Sequence, residues 1–484
     1  MSYPTRLPRS TPAAQGLSPQ AVIGFLDAIR DRQLELHSFM LLRRGEVVAE
    51  GSWAPYRPDY PHMLFSLSKS FTSTAIGFAV TEGLLSLNDP VISFFPDDVP
   101  ETISDHLAAM QIRHLLMMGT GHAADVTGSL RQDDNWVRAF LQQSVEYAPG
   151  THFAYNSAAT YMLAAVLAKV TGQTLLEFLK PRLFMPLGLS EGTWETCPQG
   201  IATGGWGLNL AIEDIAKFGQ FYLQRGQWEG KQLLPASWID EATSFRISNG
   251  DDKASDWAQG YGYQFWLCRH DAYRGDGAFG QFCLVLPKQD AVLAITSGVG
   301  DMQAVLDAAW SELLPALSSD DAIADSAAQP ELTERLSSLR IEPLQGEPSS
   351  PQEAPKLAGR VFRLEPNELQ LDAIALRLSG HSAEVVFSSE QYGDQAVELG
   401  SGEWRPSLLQ LASLKQGAKQ QVEGCFAWGD DDTLNIRLIF AETPFTFSLA
   451  CRLEGETLAV RVSSNVGWKQ GEVVTLQGQA AALA

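Results

Sequence analysis

Strand-like runs stand at both ends of the first 315 residues of this chain, and a long helical stretch separates them. Near the start, Phe39-Met40-Leu41-Leu42 and Val47-Val48-Ala49 flank a polar tip, Arg43-Arg44-Gly45-Glu46, which predicts a β-hairpin. Strand signals return at residues 261–266, 281–286 and 291–296, with a turn at 287–290 between the last two. In between, residues 90–245 carry helical periods punctuated by Gly and Pro, as at 161–170 and 212–223. Strands so distant in sequence share one core only if the chain leaves the sheet, builds helices and comes back. Further helical patterns at 19–32 (Val22, Ile23, Phe25, Leu26, Ile29), at 64–82 ahead of Gly83, and at 302–314 supply the covers. The expected fold is α/β of the α+β type: an antiparallel sheet flanked by helices and interrupted by an inserted helical subdomain.

The 484 residues exceed one ordinary core. Residues 318–355 are rich in Ser, Asp, Glu, Ala and Pro, with one short helical pattern at 332–339, and read as a linker. Beyond it, apolar runs at 373–376, 383–387, 434–440, 445–450 and 458–462 recur between turn residues with little helical period. The expected domains are therefore 1–317, a linker at 318–355, and an all-β domain at 356–484, either a β-sandwich or a small barrel.

Lys plus Arg number 35 against 57 Asp plus Glu, a formal charge of −22 that repels phosphate backbones and anionic lipid, so no nucleic acid is expected as a partner. The five cysteines, Cys197, Cys268, Cys283, Cys425 and Cys451, lack metal or redox spacing and read as buried thiols. The opening residues lead into no apolar stretch suited to a signal core or a membrane span, so a cytoplasmic location is expected. His106, His114 and His122 recur every eight residues, which matches no helical metal motif, and neither a metal nor another cofactor is expected. Gly275-x-Gly277-x-x-Gly280 has the letters of a dinucleotide fingerprint, yet a strand signal and not a helix follows it. Its glycines more simply allow close approach to an edge strand.

The residues with chemical promise begin at Ser66-Leu67-Ser68-Lys69. A spacing of three puts Ser66 and Lys69 on one helix face, a turn apart. A serine hydroxyl becomes a nucleophile when a neighbour takes its proton, and lysine does so where burial favours its neutral form. The plain alternative for the pair is an N-cap serine beside a surface lysine.

Several ordered segments accompany this pair: Phe65 to Phe71 around it; Glu82-Gly83-Leu84-Leu85-Ser86-Leu87-Asn88-Asp89-Pro90-Val91; Ile112-Arg113-His114-Leu115-Leu116-Met117-Met118-Gly119-Thr120-Gly121; Pro149-Gly150-Thr151-His152-Phe153-Ala154-Tyr155-Asn156-Ser157; and Gly204-Gly205-Trp206 with Asp214-Ile215-Ala216-Lys217-Phe218. With them, residues 15 to 315 resemble the serine β-lactamase and penicillin-binding-protein-like superfamily, especially its class C and esterase branch. The resemblance implies that Ser66 is acylated, that Lys69 assists its deprotonation, and that Tyr155 is the general base shared with Lys69 and the proton donor to the leaving group. Ser157 falls where the family has a polar Asn or Ser. An unperturbed phenol titrates at about 10, so a phenolate at position 155 requires cations beside it.

The third motif departs from the family pattern. In place of Lys-Thr-Gly or His-x-Gly stands Gly275-Asp276-Gly277, followed by Ala278-Phe279-Gly280-Gln281. In relatives the missing cation helps to bind a substrate carboxylate, which counts against penicillin or D-alanyl peptide substrates more than against acyl transfer itself. Arg274 or His270 is the nearest replacement. The backbone N–H groups of Ser66 and Ala278 are the candidate oxyanion donors, and Arg274, Trp206 and Trp266 are possible substrate contacts. The leading expectation is a serine hydrolase acting on a small-molecule ester through an acyl-enzyme on Ser66. A β-lactamase or a D-amino-acid peptidase or amidase is the alternative, and a non-catalytic binding or scaffold module is the alternative of another class.

Overall fold

The computed structural model describes residues 6–318, 326–350, 352–411, 417–468 and 473–481. Of the expected linker, 319–325 and Pro351 lie outside the described residues. Two compact units divide the chain, one formed by Met1–Gly51, Pro61–Ser297 and Asp301–Ser338, the other by Ser52–Tyr60, Gly298–Gly300 and Leu339–Ala484.

The first unit is organised around a six-stranded sheet. Its strands are β1 (Leu36–Arg43), β2 (Glu46–Ser52), β3 (Trp266–Leu267), β4 (Tyr273–Gly277), β5 (Gln281–Leu286) and β6 (Ala291–Ser297), in the spatial order β2-β1-β6-β5-β4-β3. The N-terminal hairpin thus pairs with the last strand, Phe39 opposite Ile295 and Leu41 opposite Leu293, which closes the sheet across the whole insertion. Every residue of β1, β5 and β6 is buried, as continuous apolar runs covered on both sides require.

Helix α1 (Pro19–Asp31) starts at Ser18, whose side chain accepts from the backbone N–H of Gln20, with Pro19 at its first position. Helices α2 (Ser68–Thr81) and α3 (Ser157–Thr171) pack on each other within the unit, and α4 (Ile212–Leu223) lies across β1, β5 and β6. Phe218 of α4 stacks on Phe71 of α2 with ring centroids 3.9 Å apart. Within the expected linker, Gln329–Ser337 is a helix packed on α1: Leu332 is buried and Arg335 pairs with Asp27.

The strand signal at 261–266 shrinks in the structure to β3. Gln264 adopts a left-handed backbone with φ of 65°. Its side-chain amide donates to the carbonyls of Leu115 (3.1 Å) and Leu116 (2.7 Å) and accepts from Thr160 (2.7 Å). The segment is bent to make these bonds, and so it does not extend as a strand.

The second unit holds a ten-stranded sheet: β7 (Val361–Leu364), β8 (Ala373–Ser379), β9 (Ser382–Ser389), β10 (Gly393–Gly400), β11 (Arg405–Gln410), β12 (Lys419–Trp428), β13 (Leu434–Phe440), β14 (Thr446–Glu454), β15 (Thr457–Ser464) and β16 (Val473–Ala480). Their order is β10-β9-β8-β7-β16-β15-β14-β13-β12-β11, and a bridge between Gly400 and Cys425 joins β10 to β12. The sheet therefore closes on itself, which settles the choice between sandwich and barrel in favour of the barrel. Phe362, Ile374, Leu376, Val385, Val397, Phe426 and Leu438 belong to its apolar core. All five cysteines are buried and unpaired with one another. Among the described residues no single helix is long and apolar enough to cross a membrane.

Candidate active site

Ser66 lies in a single 3-10 turn, Phe65–Leu67, that feeds directly into α2. Phe65 has φ of 47°, a conformation that an aromatic residue adopts only under outside constraint. One constraint is its edge-to-face contact with Phe279, ring centroids 5.4 Å apart, and Phe279 itself has φ of 66°. A second is β4. A Cβ added at Gly277 would stand 2.0 Å from the carbonyl oxygen of Leu64, and one at Gly275 would stand 2.5 Å from both Ser70 Oγ and Leu67 Cδ1. Alternate positions of β4 therefore lie flat against the turn that carries Ser66, and only glycine fits there. Arg274 and Asp276, the intervening residues, project from the other face of the strand.

Lys69, one turn further along the helix, is almost wholly buried (1% exposed). Its Nζ donates to Ser66 Oγ (2.9 Å), to Ser157 Oγ (3.0 Å) and to the carbonyl oxygen of Gly205 (2.8 Å). Burial disfavours the ammonium and lowers the group to about 7, against the opposing pull of Asp125 and Asp276. Ser157 opens α3, and the preceding Asn156 caps that helix by accepting from Ala158 N–H at 3.1 Å.

Tyr155 completes the group. Its hydroxyl faces Ser66, and Lys69 Nζ lies 4.7 Å from its ring centroid. The ring stacks on Trp266 (5.1 Å, 29°) and meets Tyr261 edge-on (6.2 Å, 88°). Burial of the hydroxyl, reinforced by the negative charge of Asp276, raises the phenol well above its ordinary value, while the nearby Ser66 hydroxyl opposes the shift. At neutral pH the phenol keeps its proton.

Arg274 is fully buried. Its guanidinium pairs with Asp276 (2.8 Å), donates to the carbonyl of Asp256 (2.8 Å), and lies over the ring of Trp257 at 4.3 Å. His270 is exposed, with its ring 5.1 Å from that of Trp310. Trp206 is half-buried; its indole N–H donates to Glu195 (3.1 Å), and the Arg131 guanidinium lies 5.2 Å from its ring centroid. Ala278, just past β4, is half-buried. Asp214 and Lys217 lie outside this group, with Asp214 accepting from Ser190 N–H (3.1 Å) and Lys217 donating to the carbonyl of Gly188 (2.7 Å). Among the described residues, no set of three or more His, Cys, Asp or Glu is arranged to hold a metal ion.

The structure thus brings Ser66, Lys69, Tyr155 and Ser157 together and adds residues that sequence reasoning missed. Gly205 contributes only its carbonyl. The signal for it was present in Gly204-Gly205, because a Cβ at 205 would come within 2.9 Å of the Ser157 carbonyl oxygen. Gln264 ties α2, α3 and the 112–116 helix together, since its own carbonyl also accepts from Ser70 at 2.8 Å.

An antiparallel sheet covered by helices, with Ser-x-x-Lys at the head of a buried central helix, defines the class of β-lactamase-fold serine hydrolases. The family model described as Beta-lactamase matches residues 27–315. The 6-aminohexanoate-dimer hydrolase of Paenarthrobacter ureafaciens is 25% identical over 317 residues, covering 59% of this chain and 80% of that protein. Among solved structures, a putative 6-aminohexanoate-dimer hydrolase from Bacillus anthracis superimposes with a TM-score of 0.52 at 21% identity, covering 64% of this chain and 88% of its own. A family VIII carboxylesterase does so with a TM-score of 0.50 at 17% identity, covering 63% and 98%. The chain belongs to the Beta-lactamase family of hydrolases.

Proposed function

We propose that this chain is a serine esterase acting through an acyl-enzyme on Ser66. The observation that carries the reading is the 2.9 Å contact between Ser66 Oγ and a buried Lys69 amine lowered to about 7. At neutral pH a large share of Lys69 is then an unprotonated amine able to accept the serine proton. Ser66 Oγ attacks the ester carbonyl, Lys69 takes the proton, and the backbone N–H groups of Ser66 and Ala278 receive the oxyanion. The C–O bond to the alcohol breaks as Tyr155, which holds its proton, donates it to the leaving oxygen; the Lys69 ammonium returns a proton to Tyr155, with Ser157 on the path. Water then repeats the sequence on the acyl-enzyme and releases the acid. The resemblance to the family makes Tyr155 the base; the charges around it favour Lys69 in that role and Tyr155 as the acid.

Esters are preferred because β4 offers no exposed cation for a substrate carboxylate, with Arg274 committed to Asp276. Amide hydrolysis is the second reading. A protonated phenol poised at Ser66 suits an amine leaving group, and the relative named a 6-aminohexanoate-dimer hydrolase supports it. The test compares p-nitrophenyl acetate, nitrocefin and a D-amino-acid p-nitroanilide, with a fluorophosphonate probe mapped by peptide. Ester turnover should exceed the other two, the label should sit on Ser66, and Ser66→Ala should lose roughly a thousandfold or more in kcat. Folded protein that resists the probe and turns over none of the three would return the chain to the binding-module reading.

A further inference from the structure

Asp276 stands where the family pattern calls for no carboxylate, and it is buried at 6% exposure on β4, the strand that lies against the turn of the proposed nucleophile. Arg274 reaches it twice, with Nε and a terminal nitrogen both 2.8 Å from Oδ2. The Trp266 indole, on the neighbouring strand β3, also favours its charged form. That same indole ring is the surface on which Tyr155 stacks, and Lys69 Nζ lies over the opposite neighbour of the stack, the Tyr155 ring. A buried ion pair adds little to stability compared with apolar side chains of equal size, so stability alone does not account for this one.

We infer that Asp276 is a positioning residue of the Ser66 reaction: held by Arg274, it fixes the Trp266 ring that seats Tyr155 and sets the negative field around Lys69. The inference rests on the esterase reading of Ser66. It also explains Gly275-Asp276-Gly277 as a unit. The two glycines let the strand lie on the Ser66 turn, and the residue between them points to the face where Trp266 and Arg274 stand.

The charged and titratable groups around Asp276 set the direction of the effect. Arg274 on its own strand stays a cation. Cys268, beyond β3, is pushed up to about 11 by burial, and Tyr261 and Tyr155 are pushed up as well, so all three stay neutral. Lys69 on α2 feels Asp276 and also Asp125, both of which favour its ammonium. Removing the Asp276 charge leaves Arg274 unbalanced, and both changes favour the neutral amine. The pH at which Lys69 loses its proton must then fall.

The experiment measures kcat and KM for p-nitrophenyl acetate from pH 5 to 9 in wild type, Asp276→Asn, Trp266→Phe and Ser66→Ala, with thermal melts of each. Asp276→Asn should lower kcat roughly tenfold to a hundredfold with KM little changed. Its acidic limb of kcat/KM should move to lower pH by about one unit. Trp266→Phe keeps a ring for Tyr155 but loses the indole N–H, and should lower kcat while leaving the limb in place. Wild-type kcat in Asp276→Asn, or a loss of kcat with the limb unmoved, overturns the inference. Should Asp276→Asn fail to fold, Trp266→Phe decides, and an unchanged kcat there overturns it. If Ser66→Ala retains turnover, the esterase reading itself falls; if that variant is inactive while Asp276→Asn is normal, only the inference falls.

Discussion

Helix α2 of the first unit buries twelve consecutive residues, and six of its first seven carry a hydroxyl or an amine; strand β15 of the barrel hides Leu458, Val460 and Val462 and turns Arg461 outward. In the barrel, binary alternation is the whole rule, and burial follows from side-chain hydrophobicity. In α2 most of the buried polar groups find a partner: Ser68 Oγ accepts from Leu208 N–H (3.1 Å), Ser70 donates to Gln264 (2.8 Å), Thr72 to Gly204 (2.9 Å), and Thr74 bonds Tyr222 (2.7 Å). Such a helix is held by geometry as much as by apolar contact. The backbone near it is strained at Phe65 and Phe279, a price absent from the barrel strands.

The sharpest break in this comparison is Gly277→Ala. The new methyl would meet a backbone oxygen at 2.0 Å, so either β4 or the Ser66 turn must shift. Overpacking of this kind costs about 1–3 kcal/mol, and a displacement near 1 Å at a reacting group lowers rates about a hundredfold. Esterase kcat should fall by at least that factor, with a lower Tm. A variant with normal kinetics would show that β4 does not brace Ser66.

After Gly277→Ala, the largest expected effect on activity, comes Phe362→Ala, whose effect is on stability alone. Phe362 is fully buried in the barrel core. Truncation of such a ring costs about 3–5 kcal/mol. Denaturant melts should show this loss in the barrel transition, while kcat/KM of the folded protein stays at the wild-type value. A parallel loss of kcat/KM would show that the barrel supports the reaction.

Two buried groups, one in each unit, titrate near neutrality, and they separate activity from stability. Lys69, lowered to about 7, must be neutral to accept the serine proton, so kcat/KM should fall about tenfold per unit as pH drops below 7. Glu423 in β12 is raised to about 7 by burial, with Arg57 opposing. Its folded value lies above its unfolded one, so the stability linked to its protonated form is complete below the unfolded pKa and is lost as pH rises through about 7. The barrel should therefore melt a few degrees lower at pH 8 than at pH 5, roughly, and Glu423→Gln should flatten that slope without moving the activity profile. An activity limb that follows Glu423→Gln would contradict the separation.

Much of this architecture was legible because its signals are local. The hairpin at β1 and β2 and the pair β5 and β6 are continuous apolar runs with polar turns, and strand propensity and burial agree there. Barrel strands β10 and β12 escaped notice because polar residues, the exposed Asp394 and Glu398 and the buried Gln420 among them, dilute the apolar signal. The relation of Ser66 to Lys69 is a helix turn, readable from spacing alone. That Tyr155 lies against both followed from resemblance and not from any period, since 86 positions separate it from Lys69. The glycine at 205 signals a close approach but not the part its carbonyl plays, and Gln264, which reaches three segments through its amide and its own carbonyl, leaves no mark in residue type. The proton state of Tyr155 was also illegible, because it depends on burial and on a carboxylate at 276, both of which arise only in the fold.

The smallest expected effect comes from the barrel's exterior, where Arg377 of β8 pairs across the strands with Glu384 of β9. Both this pair and Arg274–Asp276 join an arginine to a carboxylate, yet Arg377 is 66% exposed and Arg274 is 0% exposed. Water and salt already screen the outer pair, so Arg377→Ala should change stability by less than about 1 kcal/mol and leave kcat unaltered. Arg274→Met would instead strand a buried carboxylate, a loss of about 3–5 kcal/mol unless Asp276 takes up a proton, which its raised affinity for protons favours. Melts of the two variants at pH 5 and pH 8 distinguish these cases. The Arg274 variant should recover stability at the lower pH, and the Arg377 variant should show the same small change at both; equal, pH-independent losses in the two would mean that burial does not set the worth of these pairs.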